Sequence, residues 1–166
     1  IINLKTAELY AVSAYLGGLL GGYEESEVEA LQTFARHLGM AYQIFDDAVD
    51  FLSREERAGK TLGTDLASGK FTLPVLLLME RLGADEKVFW ESCLKQPPVD
   101  TSALVTAMEQ NGIFTAVEAR FNFHLEQAEA ALAAVERMPG HHRLPTLLRY
   151  VEHAMRSLTR PASTRS

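Results

Sequence analysis

A chain of 166 residues with 47% hydrophobic content is long enough for one domain with a substantial core. The formal net charge of −6 disfavours nonspecific binding to nucleic acid or to an anionic membrane over the whole surface. No nucleic-acid partner is expected, and any anionic ligand would have to meet local lysines. No apolar run reaches membrane-spanning length, Gly17-Gly18-Leu19-Leu20-Gly21-Gly22 being too short and too glycine-rich. The single cysteine, Cys93, cannot make an internal disulfide, which fits a reducing cytoplasm, and a buried, inert thiol is its expected state.

Helical periodicity begins at once, with no starting methionine, as in the middle of a larger protein. The first predicted helix runs from about Asn3 to Leu20, with Ala7, Ala11, Ala14 and Leu19 on its small and apolar side, and stops at the glycine cluster. Ser26 with Glu29 reads as a capping box for a long second helix carrying Leu31, Phe34 and Leu38. Ser53 to Gly69 is mostly charged, small or glycine, a predicted loop of a length usually reserved for function. Further helices are expected over about Leu73–Leu82, Glu86–Leu94, Thr101–Gln110, Ile113–Arg137 and Leu144–Leu158. Pro97-Pro98, Asn111-Gly112 and Pro139-Gly140 separate them. No stretch alternates with period two for long enough to suggest a sheet, so the fold class is all-α. Residues 161–166 form a polar tail expected to fray.

The second helix holds the chemistry. Asp46, Asp47 and Asp50 sit among Ala41, Ile44, Phe45, Val49, Phe51 and Leu52. Asp46 and Asp50, four apart, stack on one face, with Gln43 on the turn before. Two such charges at roughly 4 Å repel by about 4 kcal/mol at an effective dielectric near 20, and Asp is a poor helix former. A solvated acidic face is the plainer alternative, but the apolar flanks leave no broad polar face for it. A divalent cation removes the repulsion and uses the oxygens as ligands. With only oxygen donors in view, Mg²⁺ fits better than zinc or iron.

Lys60 and Lys70 each follow a glycine, which lets backbone approach a phosphate. A P-loop is excluded for Gly59-Lys60-Thr61, because that motif needs glycine where Arg54 stands and a strand in front. His141-His142 reads as a solvated loop, and His37, His124 and His153 as scattered structural residues. Phe89 and Trp90 look like core.

Together these segments resemble the trans-isoprenyl diphosphate synthase family, in particular its polyprenyl branch. Phe45-Asp46-Asp47-Ala48-Val49-Asp50 is similar to the second aspartate-rich motif of that family, and Gln43 stands where it keeps a glutamine. Gly59-Lys60-Thr61-Leu62-Gly63-Thr64-Asp65-Leu66 and Gly69-Lys70-Phe71-Thr72-Leu73-Pro74 resemble the two lysine segments that follow, and Lys5-Thr6 the lysine-threonine pair of the preceding helix. The resemblance implies an all-α bundle of the isoprenoid synthase type and a Mg²⁺-dependent prenyltransferase that joins isopentenyl diphosphate to an allylic prenyl diphosphate. Asp46, Asp47 and Asp50 would hold metal. Lys5, Lys60 and Lys70 would neutralise the diphosphate, with Gln43 and Thr6 bonding near it, and Asp46, Asp47 and Lys60 would assist ionisation. Leu73 leans toward the long-chain synthases.

The first aspartate-rich motif of the family, with its isopentenyl diphosphate pocket, has no counterpart here. Residues 1–160 therefore look like the C-terminal part of a single synthase domain, inactive alone. By resemblance the complete protein would be a cytoplasmic homodimer with no transmembrane segment, leaving room for peripheral membrane contact during product release. Two other readings compete: a non-catalytic regulatory subunit of a heteromeric synthase, which would tend to lose the aspartates, and an unrelated helical metal-binding bundle, which leaves both Gly-Lys segments unexplained.

Overall fold

Every regular element is helical among the described residues, which in this computed structural model are 2–52 (backbone alone for 2–5), 70–96 and 99–159. The α-helices are α1 (Ile2–Leu20), α2 (Glu25–Leu52), α3 (Leu73–Arg81), α4 (Ala84–Leu94), α5 (Thr101–Gln110), α6 (Ile113–Leu132) and α7 (Leu144–Thr159). One-turn 3-10 segments at Ala133–Val135 and His141–Arg143 stand between α6 and α7. The predicted loop Ser53–Gly69 and the tail 161–166 lie outside the described residues. Among the described residues, no helix is long and apolar enough to cross a membrane.

The chain packs as two compact units, Ile1–Phe45 with Arg120–Ser166, and Asp46–Ala119. In the first, α1 and α2 form an antiparallel pair whose close approach depends on small residues. Ala7, Ala11 and Gly18 are buried on α1. A Cβ on Gly39 of α2 would stand 2.9 Å from Ala7 Cα, and one on Gly18 would stand 3.1 Å from a Val28 methyl. The reversal uses Gly22 at φ +71°; Tyr23 N donates to Gly18 O and Gly22 N to Leu19 O, the paired bonds of a Schellman cap. Arg36 grips both carboxylate oxygens of Glu8 at 2.8 and 3.2 Å, tying the helices again. The capping box differs from the expected one: Glu27, not Glu29, reaches back, accepting from Glu24 N at 3.1 Å, and Ser26 lies inside α2. The predicted box needed a hydroxyl at the cap, yet α2 begins one residue before Ser26, at Glu25, with the Glu27 carboxylate holding the Glu24 N–H.

In the second unit, α5 keeps its predicted bounds and is capped by Asp100, which accepts from Ala103 N at 3.0 Å. Arg81, at the end of α3, donates to the carbonyls of Asn111 and Gly112 just past α5. Its charge thereby meets the negative end of that helix. Leu78, Leu104, Met108, Ile113 and Val117 are its fully buried centre.

Four other expectations change. The helix read as reaching Arg137 ends at Leu132, where 3-10 turns bring Val135 and Met138 into the core. The α4 helix starts two residues early, at Ala84 after Gly83. Phe89 is 59% exposed while its neighbour Trp90 is buried, because adjacent helix positions point about 100° apart. Cys93 is half-buried rather than inaccessible.

Candidate functional site

The last turns of α2 carry three carboxylates of different status. Asp47 is 2% exposed and Asp50 8%, whereas Asp46 is open to solvent. Acidic groups here lie near the helix's negative pole, and α2 has no basic residue in its last turn. An α2 built for stability alone would place lysines or arginines at this end.

Asp47 has a definite structural task. Its Oδ2 accepts from Leu73 N at 2.9 Å, the first N–H of α3. Thr72, the N-cap of α3, makes no capping bond with its own side chain. A carboxylate from another helix therefore serves as cap, where the positive pole favours it. Thr72 is 6% exposed, and its Oγ1 is buried with no hydrogen-bond partner among the described residues. Buried hydroxyls are nearly always bonded, so this atom is a candidate ligand contact. Residue patterns did not single it out; the only hint was a threonine directly before Leu73-Pro74. Lys70, exposed, stands two residues ahead of it.

Gln43 is half-buried on α2, and Thr6 is half-buried on α1. Thr6 adjoins Ala7, which Gly39 approaches one turn before Gln43. Lys5 lies on α1 with its side chain outside the described residues, and Lys60 falls wholly outside them.

The donor set fits a hard divalent cation, since carboxylate oxygens and a free hydroxyl are what such ions accept. Among the described residues, no three His, Cys, Asp or Glu side chains converge as a ready-made cage. Mg²⁺ rarely uses one: it is held by one or two carboxylates with waters and substrate phosphates.

The polyprenyl synthetase family model matches residues 1–111, and the chain belongs to that family. It is 33% identical over 138 residues to heptaprenyl diphosphate synthase component 2 of Geobacillus stearothermophilus, covering 83% of this chain and 42% of that protein. Its fold is also that of a polyprenyl synthase from Roseobacter denitrificans, with a TM-score of 0.79, 28% identity, and coverage of 90% of this chain and 49% of the other. A polyprenyl synthase of Caulobacter crescentus, complexed with calcium and isoprenyl diphosphate, gives a TM-score of 0.77, 32% identity, and coverage of 93% and 47%. The chain thus spans half or less of each of these proteins.

Proposed function

We propose that the chain is the aspartate- and lysine-bearing part (residues 1–160) of a cytoplasmic trans-prenyltransferase that condenses isopentenyl diphosphate with an allylic prenyl diphosphate. The observation that carries this reading is the set of carboxylates at the end of α2, two of them buried, beside the Lys70–Thr72 approach to α3. The metal-and-diphosphate complex of the Caulobacter relative supports it.

In this reading Asp46 and Asp50 hold Mg²⁺, with Asp47 nearby. The ion supplies positive charge against the departing diphosphate. Lys5, Lys60 and Lys70 bind the diphosphate oxygens and stabilise the charge that grows there as the C1–O bond breaks. Gln43 and Thr6 orient the bound group by hydrogen bonds. The apolar helix faces exclude water that would quench an allylic cation. Asp46, Asp47 and Lys60 thus assist ionisation, and isopentenyl diphosphate adds to the cation.

We infer a homodimer, because α1 leaves Leu9, Val12, Leu16, Leu19 and Leu20 exposed, a run at helical spacing that favours covering. The relative named as a synthase component supports a second reading, in which the chain comes from one subunit of a heteromeric synthase. The retained Asp46, Asp47 and Asp50 weigh toward a catalytic rather than a regulatory subunit.

Calorimetric titration of the chain with farnesyl diphosphate tests the site. Binding should require Mg²⁺ and should weaken at least tenfold in the Asp46→Ala, Asp50→Ala double variant. Binding of equal strength with chelator present, or in the double variant, would overturn the assignment.

A further inference from the structure

His37 of α2 and His124 of α6 lie 87 positions apart, yet their Nδ1 atoms are 2.9 Å from each other within the first unit. The ring centroids are 5.2 Å apart, which is that separation plus two ring radii, the largest value the contact allows. The imidazoles therefore meet nitrogen to nitrogen along one line. A metal ion held by both would need lone pairs converging away from that line. This head-on arrangement suits a single hydrogen instead, because two N–H groups would collide and two bare lone pairs would repel.

The surroundings resist added charge. Both rings are half-buried, and Phe123 sets its ring nearly perpendicular to each, at 76° and 74°. The charged groups that act on the pair are Arg36 on α2, itself tied to Glu8 of α1, and Arg120 on α6.

We propose that His37 and His124 form a single-hydrogen latch between α2 and α6, closed while one Nδ1 donates to the other and opened by the proton that occupies the second Nδ1. The first added proton goes to Nε2 of the donating ring. It leaves the bond intact and makes it charge-assisted. The second has only the accepting Nδ1, so two N–H groups then face each other where Arg36 and Arg120 already disfavour positive charge. The latch tolerates one extra proton and fails at two, and the steps belong to the pair rather than to either ring.

The electrostatics agree in sign. Burial first, then Arg36, holds His37 below the ordinary histidine value; burial, then His37, then Arg120, does the same for His124. The unfolded chain takes up protons as pH falls below about 6.5, while the folded pair resists. The latch's stabilisation is therefore present above that pH and is lost as pH drops through the window beneath it.

Nitrogen-15 histidine spectra of the full chain between pH 8 and 5, with amide exchange over residues 33–41 and 120–128, test this. A slowly exchanging Nδ1 proton and two coupled titration steps below the ordinary value are expected. After division by the intrinsic chemical rate of each amide, the opening constant in both segments should rise about tenfold per pH unit as pH falls through the second step, as one-proton linkage requires. His37→Gln and His124→Gln should flatten that dependence, and Arg120→Gln should move both steps upward. Independent titration of the two rings at the ordinary value would overturn the latch, as would unchanged pH dependence in His37→Gln. If a variant fails to fold, the wild-type histidine spectra alone decide.

Discussion

Replacing Asp47 by alanine removes the carboxylate that caps α3 from α2. Its Oδ2 receives Leu73 N–H at 2.9 Å, and hydrogen bonds to ionised partners are worth about 1.5–3 kcal/mol. A negative charge at a helix N-terminus contributes about 0.3–1 kcal/mol, partly counted in the same bond. Thr72 offers no side-chain cap to take over. The expected loss is about 2–3 kcal/mol, a fall in Tm of roughly 5–10 °C for a chain of this size. Asp47→Asn keeps an acceptor without the charge and should lose only about 1 kcal/mol. Asp46→Ala, next door but exposed, should stay within about 0.5 kcal/mol of wild type in metal-free buffer. Urea unfolding gives all three values, and amide exchange over residues 73–76 localises the effect to the start of α3. If Asp47→Ala and Asp46→Ala prove equally stable, the inter-helix cap contributes nothing to stability.

In the full-length synthase proposed above, Asp46→Ala should lower turnover at least roughly a hundredfold, the scale for losing a stabiliser of transition-state charge; steady-state kinetics at saturating Mg²⁺ showing wild-type turnover would refute its metal role. The 166 residues by themselves should incorporate no labelled isopentenyl diphosphate into a farnesyl primer, because the chain spans about half of the synthases it resembles; sustained turnover from a preparation verified by mass would contradict this. Light scattering across the micromolar range should show a dimer, and Leu16→Glu on the exposed face of α1 should shift it toward monomer; a monomeric wild type would remove the homodimer reading.

Much of the helical plan was legible along the chain. Glycine clusters, prolines and Asn111-Gly112 mark breaks that local backbone chemistry enforces, so the α5 bounds came out unchanged. Helix ends governed by competing local bonds were harder to place. At the start of α2, Glu27 holds the Glu24 N–H in place of the expected Ser26 and Glu29 pair, and after Leu132 no residue in the sequence announced the 3-10 turns. The aspartates stood out because charge inside an apolar helix is costly, a property visible in one dimension.

The sequence by itself determined that the chain is all-α, that Asp46, Asp47 and Asp50 interrupt an apolar helix, and that lysines follow after glycine. These depend on spacing within a single element. The tertiary structure decided which carboxylate is buried and what it does there: Asp47 caps a helix that begins 26 residues later. It also turned two scattered histidines into a bonded pair, and aimed Arg81 at the carbonyls of a turn 30 residues away. Each of these contacts joins residues with no local relation. They exist only because close helix packing, set in the first unit by Gly39 and Gly18, brings distant polar groups within bonding reach.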